Sequence, residues 1–140
     1  MTGGETLVAV VDDDFSVRRG LDRLLRSAGY RVETFASARE FLARAASLRP
    51  ACLVLDVSMP GQSGLHLSDA LAAEQSGIPI IFITGHGDLA MAARAMKAGA
   101  ADFLSKPFDD EVLLRAVEQA AAQSRRRQEK DEDDPASGAG

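Results

Sequence analysis

The chain has 140 residues, of which 46% are hydrophobic and 26% charged, a composition that suits one globular domain with a single core. It has no apolar run near the roughly 20 residues of a membrane span, and its start, Met1-Thr2-Gly3-Gly4-Glu5-Thr6, lacks the basic flank and apolar stretch of a secretory signal. A net charge of −5 argues against nucleic-acid contact by this chain alone, and the single cysteine, Cys52, excludes an internal disulfide, so a cytoplasmic protein with no membrane association is expected.

The first predicted strand is residues 7–11, an unbroken apolar run followed at once by Asp12, Asp13 and Asp14. A helix follows, with Val17, Leu21, Leu24, Leu25 and Ala28 at helical spacing and Gly29 as its C-terminal cap. Asp14 is a candidate N-terminal cap. The second strand is predicted at 32–35. The second helix opens on Ser37-Ala38-Arg39-Glu40, a capping-box pattern, and is expected to bury Phe41, Leu42 and Ala45. The third strand, 52–55, ends at Asp56, and Cys52 inside it reads as a small core residue. A third helix follows Gly64 through Leu65, Leu67, Leu71 and Ala72 to about Gly77. The fourth strand, 79–84, ends in Thr84 before the loop Gly85-His86-Gly87. The fourth helix begins at Asp88 and stops before Gly99. The fifth strand, 102–105, leads into Lys106-Pro107, a candidate cis peptide. The fifth helix opens on Asp109-Asp110, acids suited to a helix N-terminus, and is expected to bury Val112, Leu113, Ala116 and Val117. From residue 124 the sequence is polar and of mixed charge, so the helix is expected to fray into a disordered tail. The triplet Arg125, Arg126 and Arg127 reads as a solvated face rather than a nucleic-acid site.

Five strands alternating with helices predict an α/β fold: a doubly wound, five-stranded parallel sheet of (βα)5 type with helices on both faces. Ligands bind such sheets outside the carboxyl ends of the strands, where strand order reverses. Asp12, Asp13, Asp56, Thr84 and Lys106 all fall at or just past predicted strand ends. If the first and third strands are neighbours, the three acids converge. Two such charges about 4 Å apart repel by roughly 4 kcal/mol at an effective dielectric of about 20. A site of this kind calls for a cation or a raised pKa. Asp56 is the candidate nucleophile, because a carboxylate can attack phosphorus to form an acyl phosphate. Asp12 and Asp13 are candidate Mg²⁺ ligands, with Asp56 and the backbone carbonyl of Ser58 completing the protein's share of an oxygen shell. Lys106 supplies a point charge for a phosphoryl oxygen or for Asp56, and the Thr84 hydroxyl a donor.

Val11-Asp12-Asp13, Leu55-Asp56-Val57-Ser58-Met59-Pro60-Gly61, Thr84-Gly85 and Lys106-Pro107-Phe108 together resemble the receiver domain of two-component response regulators. The resemblance covers residues 5–123, leaving 124–140 as a polar tail or linker. The stretches Ile83-Thr84-Gly85-His86-Gly87-Asp88 and Ala95-Met96-Lys97-Ala98-Gly99-Ala100 look most like the FixJ subgroup. The resemblance implies a flavodoxin-like fold and a phospho-acceptor, Asp56, charged by a sensor histidine kinase. It implies Mg²⁺, with Mn²⁺ as a substitute, at Asp12 and Asp13. It makes Thr84 and Phe103 the parts of a switch, Phe103 as a rotating aromatic. Ser58 and His86, each two residues past a site residue, are placed to set the lifetime of the acyl phosphate. The expected outputs are a phosphorylation-dependent homodimer, through the face of the fourth helix, fifth strand and fifth helix, and transcription regulation. No catalysis is expected beyond the chain's own phosphorylation and dephosphorylation. Three alternative readings fit part of the pattern. A stand-alone receiver would act as a phosphoryl shuttle or sink. A phosphatase with an Asp nucleophile would need a second acid where Ser58 stands. A flavin carrier would need phosphate-binding groups where Asp12-Asp13-Asp14 repel phosphate.

Overall fold

The computed structural model describes residues 6–56, 78–84, 96–97 and 101–133. In chain order these form β1 (Leu7–Val11), α1 (Phe15–Ser27), β2 (Arg31–Phe35), α2 (Ala38–Leu48), β3 (Cys52–Asp56), β4 (Ile80–Thr84), β5 (Asp102–Ser105) and α3 (Asp110–Asp133). The third predicted helix lies outside the described residues. So does the fourth, apart from Met96 and Lys97, which are helical.

The strands form one five-stranded sheet in the order β2-β1-β3-β4-β5, and every pairing is parallel. From β1 the chain steps outward to β2, then returns to place β3 on the other side of β1. Strand order therefore reverses between β1 and β3, which opens a crevice at their carboxyl ends. The register sets Val11 beside Leu55, so Asp12 and Asp56 follow as neighbours across that crevice.

Alternation along the strands sorts their side chains between two cores. Ala9, Val11, Leu53, Leu55, Ile80 and Phe82 meet Phe41 and Ala38 of α2 on one face. Val8, Val10, Cys52, Val54, Ile81 and Ile83 meet Leu21 and Leu25 of α1 and Leu113, Ala116, Val117 and Ala120 of α3 on the other. Both faces are covered, which is why β1, β3 and β4 are buried at every position. Cys52 is one of these core residues. Burial pushes its thiol up to about 12, which leaves it unreactive at neutral pH.

Local signals set the helix boundaries. The Asp14 carboxylate accepts the backbone N–H groups of Ser16 (2.8 Å) and Val17 (3.3 Å) at the start of α1. At its end Gly29 takes φ 98°, a left-handed value that favours glycine. The Gly29 N–H reaches Arg26 O, and the Tyr30 N–H reaches Leu25 O, the paired bonds of a Schellman stop. At α2 the Ser37 hydroxyl accepts the Glu40 N–H (3.2 Å), while the Glu40 carboxylate reaches back to the Ala36 N–H (2.8 Å), one residue beyond a standard capping box.

Two expectations about the last helix need correction. Val112, expected in the core, is 44% exposed. The buried stripe runs Leu113, Ala116, Val117, Ala120, Ala121, and Val112 lies one residue off its edge. The segment from 124, expected to fray, is helical as far as Asp133. It holds no Gly or Pro before Pro135, and its Arg, Gln, Glu and Lys residues are strong helix formers.

Gly20 sits in the middle of α1, and a Cβ added there meets nothing within 4 Å. Its φ is not one that demands glycine, so its backbone freedom is a cost to the helix. Gly20→Ala is expected to raise stability by about 1 kcal/mol, seen as a higher urea midpoint with an unchanged m-value.

Candidate functional site

The site is built on strand ends. Asp12 follows β1, Asp56 is the last residue of β3 and Thr84 the last of β4, and all three are buried. Asp13 is exposed, one step further out. Ligand atoms of Asp12, Asp13 and Asp56 all lie within 4.8 Å of one another. Lys106, just past β5, reaches over the sheet ends. Its Nζ stands 3.4 Å from Asp12 Oδ2 and 3.7 Å from Asp56 Oδ2. Its own N–H donates to the Thr84 carbonyl (2.8 Å), which ties the end of β5 to the end of β4. The Lys106–Pro107 peptide is cis, as the sequence suggested.

Burial raises the pKa of Asp12 above the ordinary carboxylate value of 3.8. The Asp14 N–H on Oδ1 (2.9 Å) opposes that shift, the charge of Asp56 adds to it, and Lys106 opposes it. Two buried acids thus share one ammonium, with a third acid at the rim. The fit to a metal follows from this donor set. Three carboxylates form an anionic, all-oxygen cluster without His or Cys, which suits a hard divalent cation rather than a soft one.

Thr84 and Phe103 are brought to the same face of the sheet. Phe103 pairs in register with Phe82 and packs, half-buried, against the core on the α2 face. Thr84 shares its parity with Phe82 and so belongs to that face. Ser58 and His86 lie outside the described residues. Sequence reasoning passed over Arg18, whose Nη1 donates to the Asp12 carbonyl (2.7 Å), and Phe15, whose ring Arg18 covers. An arginine one turn into a helix looks solvated in a sequence. Only its distance from the strand-end acids could have marked it.

The chain belongs to the response regulator receiver domain family, which it matches over residues 8–118. Domains of this family serve two-component signalling and are phosphorylated by sensor histidine kinases. Nodulation protein W of Bradyrhizobium diazoefficiens is 55% identical over 116 residues, 83% of this chain and 51% of that protein. Transcriptional regulatory protein FixJ of the same organism is 46% identical over 113 residues, 81% of this chain and 55% of that one. A crystal structure of FixJ-N superimposes with a TM-score of 0.79 at 45% identity, covering 84% of this chain and 94% of that one. The chain spans about half the length of the curated relatives it matches. No helix among the described residues is long and apolar enough to cross a membrane.

Proposed function

We propose that Asp56 is the phospho-acceptor of a cytoplasmic receiver that controls transcription, and that Asp12, Asp13 and Asp56, with the Ser58 carbonyl, hold Mg²⁺ or Mn²⁺. The observation that carries this reading is the meeting of three carboxylates within 4.8 Å, two of them facing the Lys106 ammonium. An Asp56 carboxylate oxygen attacks the phosphorus of a phosphohistidine on a sensor kinase. The new O–P bond forms as the P–N bond breaks, and the electron pair leaves on the imidazole nitrogen. Lys106 offers its charge to a phosphoryl oxygen, and Thr84 its hydroxyl. A divalent cation, when bound, offsets the negative charge that the acids and the phosphoryl oxygens bring together. The chain catalyses only its own phosphorylation and dephosphorylation.

The test is intact mass after incubation with acetyl phosphate and Mg²⁺. One added phosphoryl group is expected, and chelating the metal should remove the reaction. No adduct on the wild type under either condition would overturn the reading.

The signal then passes through Thr84 and Phe103. An aspartyl phosphate is more negative and richer in acceptors than the carboxylate it replaces, which gives the Thr84 hydroxyl a reason to move toward it. Space behind Thr84 opens on the face it shares with Phe103, and the ring turns inward. The changed surface beside β5 and α3 then favours a second copy of the chain. Thr84→Ala is expected to keep phosphorylation but lose the dimer that phosphorylation induces, as read by sedimentation with and without phosphodonor. A variant that still dimerises like the wild type would exclude Thr84 from the switch.

A further inference from the structure

Asp12 is held at four points. Its N–H donates to the Phe35 carbonyl (3.1 Å), its Oδ1 accepts the Asp14 N–H (2.9 Å), and its Oδ2 faces Lys106 Nζ (3.4 Å). The fourth point is its carbonyl oxygen, which accepts Arg18 Nη1 at 2.7 Å. That bond reaches back six residues over the first turn of α1, and it is short because the donor is charged. The guanidinium also lies over an aromatic ring. Its carbon lies 5.7 Å from the centroid of the Phe15 ring. Phe15 is 64% exposed and contributes nothing to either core. Among the described residues, its one ring contact is with the Arg18 guanidinium.

Asp13 differs from its neighbour. Among the described residues its carboxylate makes no hydrogen bond or ion pair. Its direction therefore depends on the two peptide groups beside it. The peptide leading out ends in the Asp14 N–H, held by Asp12 Oδ1. The peptide leading in begins with the Asp12 carbonyl, held by Arg18.

We propose that Arg18 is a positioning residue for the acidic cluster: by clamping the Asp12 carbonyl, with Phe15 behind it, it fixes the peptide that presents Asp13 to a divalent cation. The inference rests on reading the cluster as a cation site. Simple electrostatics predicts the opposite effect. A fixed positive charge beside a cation site repels the cation, so deleting it should tighten binding. The sign of the change therefore separates positioning from mere charge.

The measurement is Mg²⁺ affinity of the full chain by calorimetric titration, with the metal-free urea midpoint as a check on folding. Arg18→Ala is expected to weaken Mg²⁺ binding by about tenfold or more, the range found when groups that orient metal ligands are removed. Arg18→Lys keeps the charge but loses the planar fork, so it should fall between wild type and Arg18→Ala. Phe15→Ala should weaken binding by about two- to fivefold, as expected for an exposed cation–π contact. If Arg18→Ala does not fold, the exposed Phe15→Ala carries the test alone. Unchanged or tighter Mg²⁺ binding in the folded variants would overturn the proposal. A wild type that binds no Mg²⁺ would instead overturn the cation-site reading beneath it.

Discussion

Asp56→Asn is expected to take no phosphoryl group from acetyl phosphate in the presence of Mg²⁺ and to fold at least as stably as the wild type. Both halves of this expectation come from the same geometry. Asparagine matches the shape of aspartate at the end of β3, where the residue is 4% exposed, so the closely packed strand end is not disturbed. It has no anionic oxygen with which to attack phosphorus, so the covalent step loses its acceptor completely. The substitution also removes one of two acids that share Lys106 at 3.4 and 3.7 Å. Asp12 and Lys106 are left as a matched pair, and the Asp56 charge that helps to raise the Asp12 pKa is gone. Intact mass reads the first half and urea unfolding the second. An adduct on Asp56→Asn equal to that on the wild type would place the acceptor elsewhere. A large loss of stability would mean that the charge of Asp56 itself supports the fold.

The fold was legible because its physics is repetitive. A strand buried on both faces must be apolar along its length, and β1, β3 and β4 are, up to Asp56 and Thr84 at the carboxyl ends of β3 and β4. A helix covering one face must repeat near 3.6, and Leu21 and Leu25 do so. The convergence of Asp12 and Asp56 followed from the reversal of strand order, a property of topology rather than of any one residue. Less legible were features that depend on a side chain's reach. Arg18 touches a carbonyl six residues back, and nothing in helical periodicity encodes that. Val112 carries a core residue's chemistry just off the buried stripe, where a shift of one position decides exposure. The extent of α3 was missed for a different reason: its last turns lack an apolar face, but local propensity can carry a helix beyond the core that nucleates it.

Asp12→Asn separates what the cluster costs the fold from what it does for a cation. Without metal near neutral pH, the variant is expected to be more stable than the wild type by an amount on the order of 1 kcal/mol, because removing one acid leaves Asp56 and Lys106 as a balanced pair. The remaining carbonyl oxygen can still accept the Asp14 N–H that now binds Oδ1. The pH dependence fixes the sign. Burial, with the Asp56 charge, raises the folded pKa of Asp12 above its unfolded value of 3.8, despite the Asp14 N–H and Lys106. An acid raised in this way binds its proton more tightly in the folded state. Its stabilising contribution is complete below the unfolded pKa and is lost as pH rises through the folded one. Asparagine does not titrate, so the advantage of the variant should grow from about pH 3.8 upward and level off once Asp12 is fully charged. Mg²⁺ should reverse the order. A ligand at 100 times its Kd stabilises the folded state by about 2.7 kcal/mol, and the wild type should gain this while Asp12→Asn gains little. Urea unfolding across pH 4–8 with and without Mg²⁺ would decide the matter. A variant less stable than the wild type without metal at neutral pH, or one stabilised equally by Mg²⁺, would mean that Asp12 serves the fold rather than the cation.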